Sequence, residues 1–470
     1  MWAKFCLLAT AAVLLGGCTL GPDYERPELD LPAGYVQPVE EGASFANTPW
    51  WELFEDPELK YLVELALIEN QDLGIAVARI EEFRALLGIT RADQFPTVDI
   101  GATGARQSPS QNAFPGNLVD GYIDNYRLSG DVFYEVDLFG RFRRSTEAAR
   151  AELLAVEENR RNITISLISS VASTYMLLRD LDAQLEIARR TEATRAESLR
   201  IITARFEQGT LPKLDVNQAE IQLAVASAAI AAAERAVAQT EHSLSVLIGR
   251  NPGPITRGLS LKAQTIPPNI PAGLPSELLQ RRPDVLASEA SLAAQTARIG
   301  VAEALRWPSI SLTGSLGVES SDLSGLTDSG SDFWNFGGSI VQPLFNSGRN
   351  RDRVNAEIAR QEQALLSYEQ TVLRAFAEVE DALVAVRTYR MEHEARTMQV
   401  AAARNAATLS RARYDGGVTS FLEVLDIERS LFNAELSESQ TLRLYINSIV
   451  ELFKALGGGW VPEEETSTSE

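Results

Sequence analysis

Few side chains in this sequence could carry covalent or metal chemistry. There are two histidines, His242 and His393, about 150 residues apart, and two cysteines, Cys6 and Cys18. A zinc cluster needs three or four nitrogen and sulfur ligands close together, and a thiol nucleophile needs a base, so neither is expected. No Gly-rich loop is placed to cradle phosphate, and the acidic residues recurring along the long polar segments are solvated faces rather than an acid–base pair. No enzyme, no metal and no cofactor are expected. The one residue set up for chemistry is Cys18, and that chemistry is modification.

Lys4 precedes a short apolar run, Phe5 to Leu15, which closes on Leu15-Gly16-Gly17-Cys18. The run falls short of the ~18–20 apolar residues of a membrane-spanning helix and has the layout of a secretory signal over 1–17. Its end resembles a bacterial lipobox, which implies cleavage before Cys18 and a covalent lipid on it; a plain signal peptide with an incidental cysteine is the alternative. Thr19, rather than Asp, follows Cys18, as in outer-membrane sorting. Cys6 leaves with the signal, so the mature chain has no disulfide even in an oxidising compartment.

The charge narrows the partners. Asp and Glu number 64 against 43 Lys and Arg, a net charge of −21. This argues against nucleic acid as a partner, because phosphate binding needs a basic face. A surface or lumen that favours cations suits this balance.

The elements that position these residues are long. No Pro or Gly occurs from Arg141 to Gln208, Val216 to Ile248, Arg349 to Asp415 or Val418 to Leu456. Helix formers fill these windows, and two helices of roughly 67 residues would each run about 100 Å. Leu167, Val171, Thr174, Leu178, Leu181, Leu185 and Ala188 form a seven-residue seam; Val354, Ile358, Gln361, Leu365, Tyr368, Val372, Ala375, Val379, Ala382 and Val386 form a second. Such seams make coiled coils. Gly209 and Gly417 stand where each long helix ends, and Pro212 suits the start of the next. Shorter helices are expected over roughly 212–248 and 419–456, with further helical patterns near 56–93 and 275–305.

Four short segments have another period. In 309–320, Ile310, Leu312, Leu316 and Val318 alternate with Ser, Thr and Glu; 126–140 alternates likewise, and 97–106 and 333–345 more weakly. This marks strands with one apolar face, about the length that crosses a bilayer at a tilt. Phe133, Tyr134, Phe139, Phe333, Trp334 and Phe336 read as an interfacial girdle; a small soluble sheet capping the helices is the alternative. Four strands cannot close a barrel, and open edges in lipid are costly, so spanning strands must be pooled between chains, three chains giving twelve.

The chain is duplicated. Residues 204–216, ARFEQGTLPKLDV, echo 412–424, ARYDGGVTSFLEV, and ADQFPTVDIGATG (92–104) parallels ALRWPSISLTGSLG (304–317). The expected organisation is a signal peptide (1–17), a lipidated N-terminal segment (18–55), a first repeat (56–249), a linker (250–274), a second repeat (275–457) and an acidic disordered tail (458–470).

RRPDV with Glu289 and WPSISLTG within 274–314, PLFNSGR at 343–349, ARYDGGVTSFLEVLDIERSLFNAE at 412–435 and TPWWELFEDPEL at 48–59 together resemble the TolC-type outer-membrane factors, in particular the NodT-like lipoprotein branch. The resemblance covers roughly 18–460. It implies a mainly α fold with a membrane β-barrel portion: a homotrimer with a 12-strand β-barrel continued by a long α-helical barrel. It implies an exit duct in the outer membrane of a Gram-negative bacterium that extends into the periplasm and works with a periplasmic adaptor and an inner-membrane resistance-nodulation-division pump. The adaptor would dock at the turns, on Gly209, Thr210, Gly417, Val418 and Thr419. Glu423 and Asp426 would form the acidic ring of the periplasmic aperture, with Asp215 matching Glu423 in the first repeat; exposed charges at a helix start are the plainer reading. Thr419 stands where some relatives carry a basic latch residue, leaving Lys213 and Arg429 as substitutes. A conduit for type I protein secretion and a lipid-anchored structural trimeric coiled coil are the alternatives; the lipobox and RRPDV favour efflux.

Overall fold

Residues 19–29, 32, 34–37, 49–110, 112, 121–267 and 275–458 are described by the computed structural model. Cys18 and the C-terminal tail from 459 lie outside the described residues. In chain order the elements are α1 (Pro57–Glu69), α2 (Gln71–Ala92), β1 (Thr97–Gln107), β2 (Ile123–Val136), α3 (Arg141–Glu207), α4 (Lys213–Leu247), α5 (Pro275–Arg281), α6 (Pro283–Ala304), β3 (Ser309–Ser320), β4 (Asp332–Val341), α7 (Arg349–Asp415) and α8 (Phe421–Ala455).

The duplication is metrical. α3 and α7 have 67 residues each and α4 and α8 have 35 each, and α7 and α8 both start 208 positions after α3 and α4. The expected helical stretches near 56–93 and 275–305 are each split, at Asn70 and Arg282. Pro212 caps α4 from outside, in an extended conformation, rather than forming its first residue.

Contacts divide the chain into two compact units, each drawing on both copies. The first holds the described parts of Met1–Glu28, Arg79–Val156 and Ala287–Tyr368; the second holds Leu29–Ala78, Glu157–Leu286 and the described part of Glu369–Glu470.

In the first unit the four strands form one antiparallel sheet in the order β1-β2-β3-β4, with β1 and β4 as open edges. β2 starts earlier and ends earlier than its alternation suggests, at Val136, and β4 ends at Val341 rather than near 345. Leu138 keeps the apolar parity one step past the last pairing of β2, and the apolar Leu344 and Phe345 follow the end of β4, which is why the sequence pattern overran both strands. The register places Ile100, Gly130, Leu316 and Trp334 in one row and Val98, Val132, Gly314 and Phe336 in the next, all on one face. That face is turned outward: Leu316 is 66% and Trp334 80% exposed, while Ser129 and Ser315 on the other face are 6% and 8% exposed. The polar face is knitted by Ser315 Oγ donating to Asp131 (2.5 Å) and Arg127 donating to Ser315 (2.7 Å). The expected single aromatic girdle is not what forms. Phe133 and Phe333 pair with Thr313 and Gly317 on the polar face, and the Arg127 guanidinium lies 4.2 Å from the Phe333 ring centre. Phe139 lies beyond the end of β2.

In the second unit the main core gathers Trp50, Phe54 and the inner face of α1 against Ile168, Val171, Tyr175 and Leu178 of α3 and Ile446, Ile449 and Phe453 of α8. Trp50 stacks on Phe453 with centroids 5.5 Å apart and planes 8° apart. The heptad seam is only part of this. Ile168, Ala172, Tyr175 and Met176 of α3 are also buried, because the helix packs on more than one side, while Ile358 of the α7 seam is exposed.

Candidate functional site at the hairpin turns

Each long helix ends on the same backbone motif. Gly209 adopts φ +71° and its N–H donates to Phe206 O (2.8 Å), while Thr210 N–H reaches Arg205 O (3.0 Å). Gly417 adopts φ +72°, donates to Tyr414 O (3.0 Å), and Val418 N–H reaches Arg413 O (2.9 Å). These paired bonds satisfy the last carbonyls of a helix and require a left-handed residue that glycine adopts without steric cost. The chain then turns back into α4 or α8 within a few residues.

The two hairpins share one small core at the turns. Ile202, Val216 and Ala219 from the first pack with Phe421, Val424 and Leu425 from the second. Tyr414 leans on Phe421 with centroids 5.5 Å apart, and Arg205 of the first hairpin lies over the Tyr414 ring at 5.2 Å. Positions 208 apart in sequence are thereby brought together in one protomer, and Gly209, Thr210, Gly417 and Val418 are exposed around that core.

The carboxylates singled out in the sequence sit on the first turns after these loops. Glu423 and Asp426 are exposed on α8, and Asp215 is half-buried on α4. Thr419 Oγ1 donates to Glu423, whose other oxygen lies 4.0 Å from Arg413 Nε at the end of α7. Asp426 pairs with Arg429 along the same helix. Of the two substitutes for a basic latch, Arg429 is therefore engaged by Asp426, and Lys213 lies over the Phe206 ring at 5.6 Å. Arg413 was not singled out in the sequence; it precedes the turn, and its nearness to Glu423 depends on the chain reversing.

Further along α8, carboxylates tie the hairpins together. Glu435 receives Arg190 of α3 (2.6 Å) and Arg404 of α7 (2.8 Å), and Arg443 and Ser439 converge on the buried Asp180 of α3. In the first copy the position matching Glu435 is Ser227, so only α8 carries this ladder.

Three buried polar centres were also missed as structural determinants. Asp56 caps α1 through the N–H groups of Glu58 and Leu59, and accepts from Tyr175 Oη (3.0 Å), Leu259 N (3.1 Å) and Gln264 Nε2 (2.7 Å). Burial, with Asp56 alongside, pushes the Tyr175 phenol up from its ordinary pKa. Arg282 of RRPDV grips Asp284 through both nitrogens, Glu378 of α7 and the Ala455 carbonyl that ends α8. In the first unit Arg144 holds the Leu20 and Gly21 carbonyls and Asp23, while Glu289 takes both Arg26 nitrogens and the Tyr24 hydroxyl. An Asp-Pro pair at a helix start could have pointed to Asp56; nothing local marks the others' partners.

Among the described residues no cluster of His, Cys, Asp and Glu could hold a metal ion. The family model described as "Outer membrane efflux protein" matches residues 62–250 and 274–458. The chain is 39% identical over 459 residues to the solvent efflux pump outer membrane protein SrpC of Pseudomonas putida, covering 96% of this chain and 97% of that one. It is 34% identical over 468 residues to the cation efflux system protein CusC of Escherichia coli O6:H1, covering 97% and 98%. The solved open state of the MtrE outer membrane channel of Neisseria gonorrhoeae aligns with a TM-score of 0.85 at 34% identity, covering 94% and 98%. The chain belongs to the outer membrane efflux protein family.

Proposed function

We propose that this chain is the exit duct of a tripartite efflux system, passively conducting small toxic solutes from a periplasmic adaptor and an inner-membrane resistance-nodulation-division pump to the exterior. The observation that carries the reading is the inverted sheet. An outward face carrying Leu316, Trp334, Ile100 and Phe336, backed by a hydrogen-bonded polar face, is the polarity of lipid-facing, water-lined strands. Its two open edges call for other copies, since unpaired strand edges are not tolerated in lipid. A homotrimer closes a twelve-stranded barrel. Cys18 carries the lipid that anchors the mature chain, and the turns at Gly209–Thr210 and Gly417–Thr419 receive the adaptor.

Glu423 and Asp426, with Asp215, ring the periplasmic aperture when three copies assemble and give it a preference for cations. The Thr419–Glu423–Arg413 group supports a closing contact made inside the second hairpin, in place of a basic residue after the turn. Relatives carry names that refer both to solvents and to cations; cargo choice belongs to the pump.

Two measurements test the reading. Purified protein in a planar bilayer conducts if the strands pool into a pore, and a structural rod does not. Deleting the gene sensitises cells to drugs, solvents or metal ions if the duct serves efflux; lost secretion of proteins with unchanged sensitivity would place it in protein secretion instead.

A further inference from the structure

Where strands become helices in the first unit, a basic and apolar surface stands out on a chain of net charge −21. β2 ends, β3 begins and β4 ends here, around a cleft of about 320 Å³ lined by Phe139, Arg141, Trp307, Val341 and Pro343 among others. Phe139 stacks on the half-exposed Trp307 with centroids 5.2 Å apart. Beyond β4 the chain presents Leu344 and Phe345 almost fully to the outside, at 92% and 89% exposure. The connections that bring these segments together are specific: Gln342 Nε2 donates to Arg306 O (3.1 Å) and Asn350 Nδ2 to Leu305 O (2.6 Å).

The arginines around this surface are unequally engaged. Arg141 pairs with Glu135, Arg143 with Asp137 and Arg351 with Asp352. Arg306, Arg349 and Arg353 are exposed and have no side-chain hydrogen bond or ion pair among the described residues. Arg349 and Arg353 are one turn apart on the first turns of α7, so they share a face. Unpaired guanidinium forks beside an exposed Trp, Leu and Phe match a ligand with an anionic phosphate on an apolar body.

We propose that this surface binds an anionic phospholipid of the leaflet nearer the helices, its phosphate held by Arg306, Arg349 and Arg353 and its upper acyl region by Trp307, Leu344 and Phe345. Interfacial Trp and clustered Arg are the side chains that recognise such lipid, and each cation near an anionic surface strengthens binding. The proposal rests on the reading that the sheet is embedded in the membrane.

The test is native mass spectrometry of the full chain in non-ionic detergent, with phosphatidylglycerol or phosphatidylcholine of identical acyl chains. The protein retains phosphatidylglycerol in preference. The triple variant Arg306→Gln, Arg349→Gln, Arg353→Gln lowers that retention at least ~10-fold, given a few-fold contribution per cation. The Arg→Lys triple variant keeps most of it, and the charge-matched control Arg200→Gln, Arg235→Gln, Arg396→Gln keeps all of it. Equal retention of both lipids, or a triple Gln variant that binds as before, overturns the proposal. If Leu344→Ser with Phe345→Ser separates the oligomer while lipid retention is unchanged, the surface is a contact between copies and the proposal also fails. Bilayer conductance is recorded for every variant: a chain that conducts but shows no lipid preference loses this proposal alone, whereas one that never conducts loses the membrane reading beneath it.

Discussion

At the residue scale, the weightiest side chains are buried charges with several partners. Asp56 accepts five hydrogen bonds from three parts of the second unit, and a Cβ on Gly258 would lie only 2.0 Å from its Oδ1. Replacing Asp56 by Ala leaves Tyr175 Oη and Leu259 N without their acceptor and leaves Gln264 Nε2 only the longer bond to the Leu259 carbonyl, an expected loss of ~3 kcal/mol or more. The loss reads out as a lower midpoint for heat-induced loss of helical circular dichroism; an unchanged midpoint would show the centre to be dispensable. Exposed charges behave differently. Glu423→Gln with Asp426→Asn has little expected effect on stability, within about 0.5 kcal/mol for such surface sites. It should instead reduce cation preference and raise conductance in a bilayer, and an unaltered current–voltage curve would remove both residues from the aperture. Neither role follows from residue type. Asp56 and Glu423 are both acids at helix starts, and only the packing around them separates a structural centre from an exposed group.

At the element scale, the turns and strands ask different things of glycine. A Cβ at Gly417 would meet nothing within 4 Å, so the only demand there is the left-handed backbone at φ +72°. Gly417→Val is expected to cost about 1–2 kcal/mol through that backbone term and to impair export with assembly intact, while Gly417→Asn, which tolerates the conformation, retains export. Normal export in the Val variant would count against adaptor docking at the turn. Gly317 in β3 is the opposite case: a Cβ would lie 2.0 Å from the Leu128 carbonyl of β2. Gly317→Val is expected to disrupt the β2–β3 pairing and abolish conductance while the helical circular dichroism persists; a conducting variant would mean that the sheet does not form the pore. The hairpin glycines were legible because a break in a long Pro- and Gly-free run is a local signal. The strand ends were less so, since apolar alternation runs past the last paired residue.

At the scale of the whole molecule, a single chain is incomplete. Its sheet has two open edges, and apolar side chains such as Ile75, Leu373 and Met398 remain exposed on its helices. Exposed apolar surface of this extent marks an interaction site. Native mass spectrometry is expected to give three chains, and reconstituted monomer no current; a conducting single chain would refute the pooled barrel. The two copies have diverged within this shared plan. α4 has six buried positions and α8 three times as many, because α8 alone carries Glu435 and the apolar face that packs against both long helices. The echoed turns that precede them made the duplication visible in the sequence, and their unequal burial did not show there.

The sequence by itself determined what depends on neighbours along the chain. The 67-residue helices, the glycine turns 208 positions apart, the period-two strands and the scarcity of Cys and His are all local or compositional properties, legible without coordinates. Tertiary structure alone decided which face of the sheet looks outward, which acids are buried, and which arginines are left unpaired. Those outcomes depend on partners far apart in sequence, as when Arg282 meets the Ala455 carbonyl or Gln264 meets Asp56. No periodicity encodes such a meeting. It exists only once burial has removed water as the competing partner.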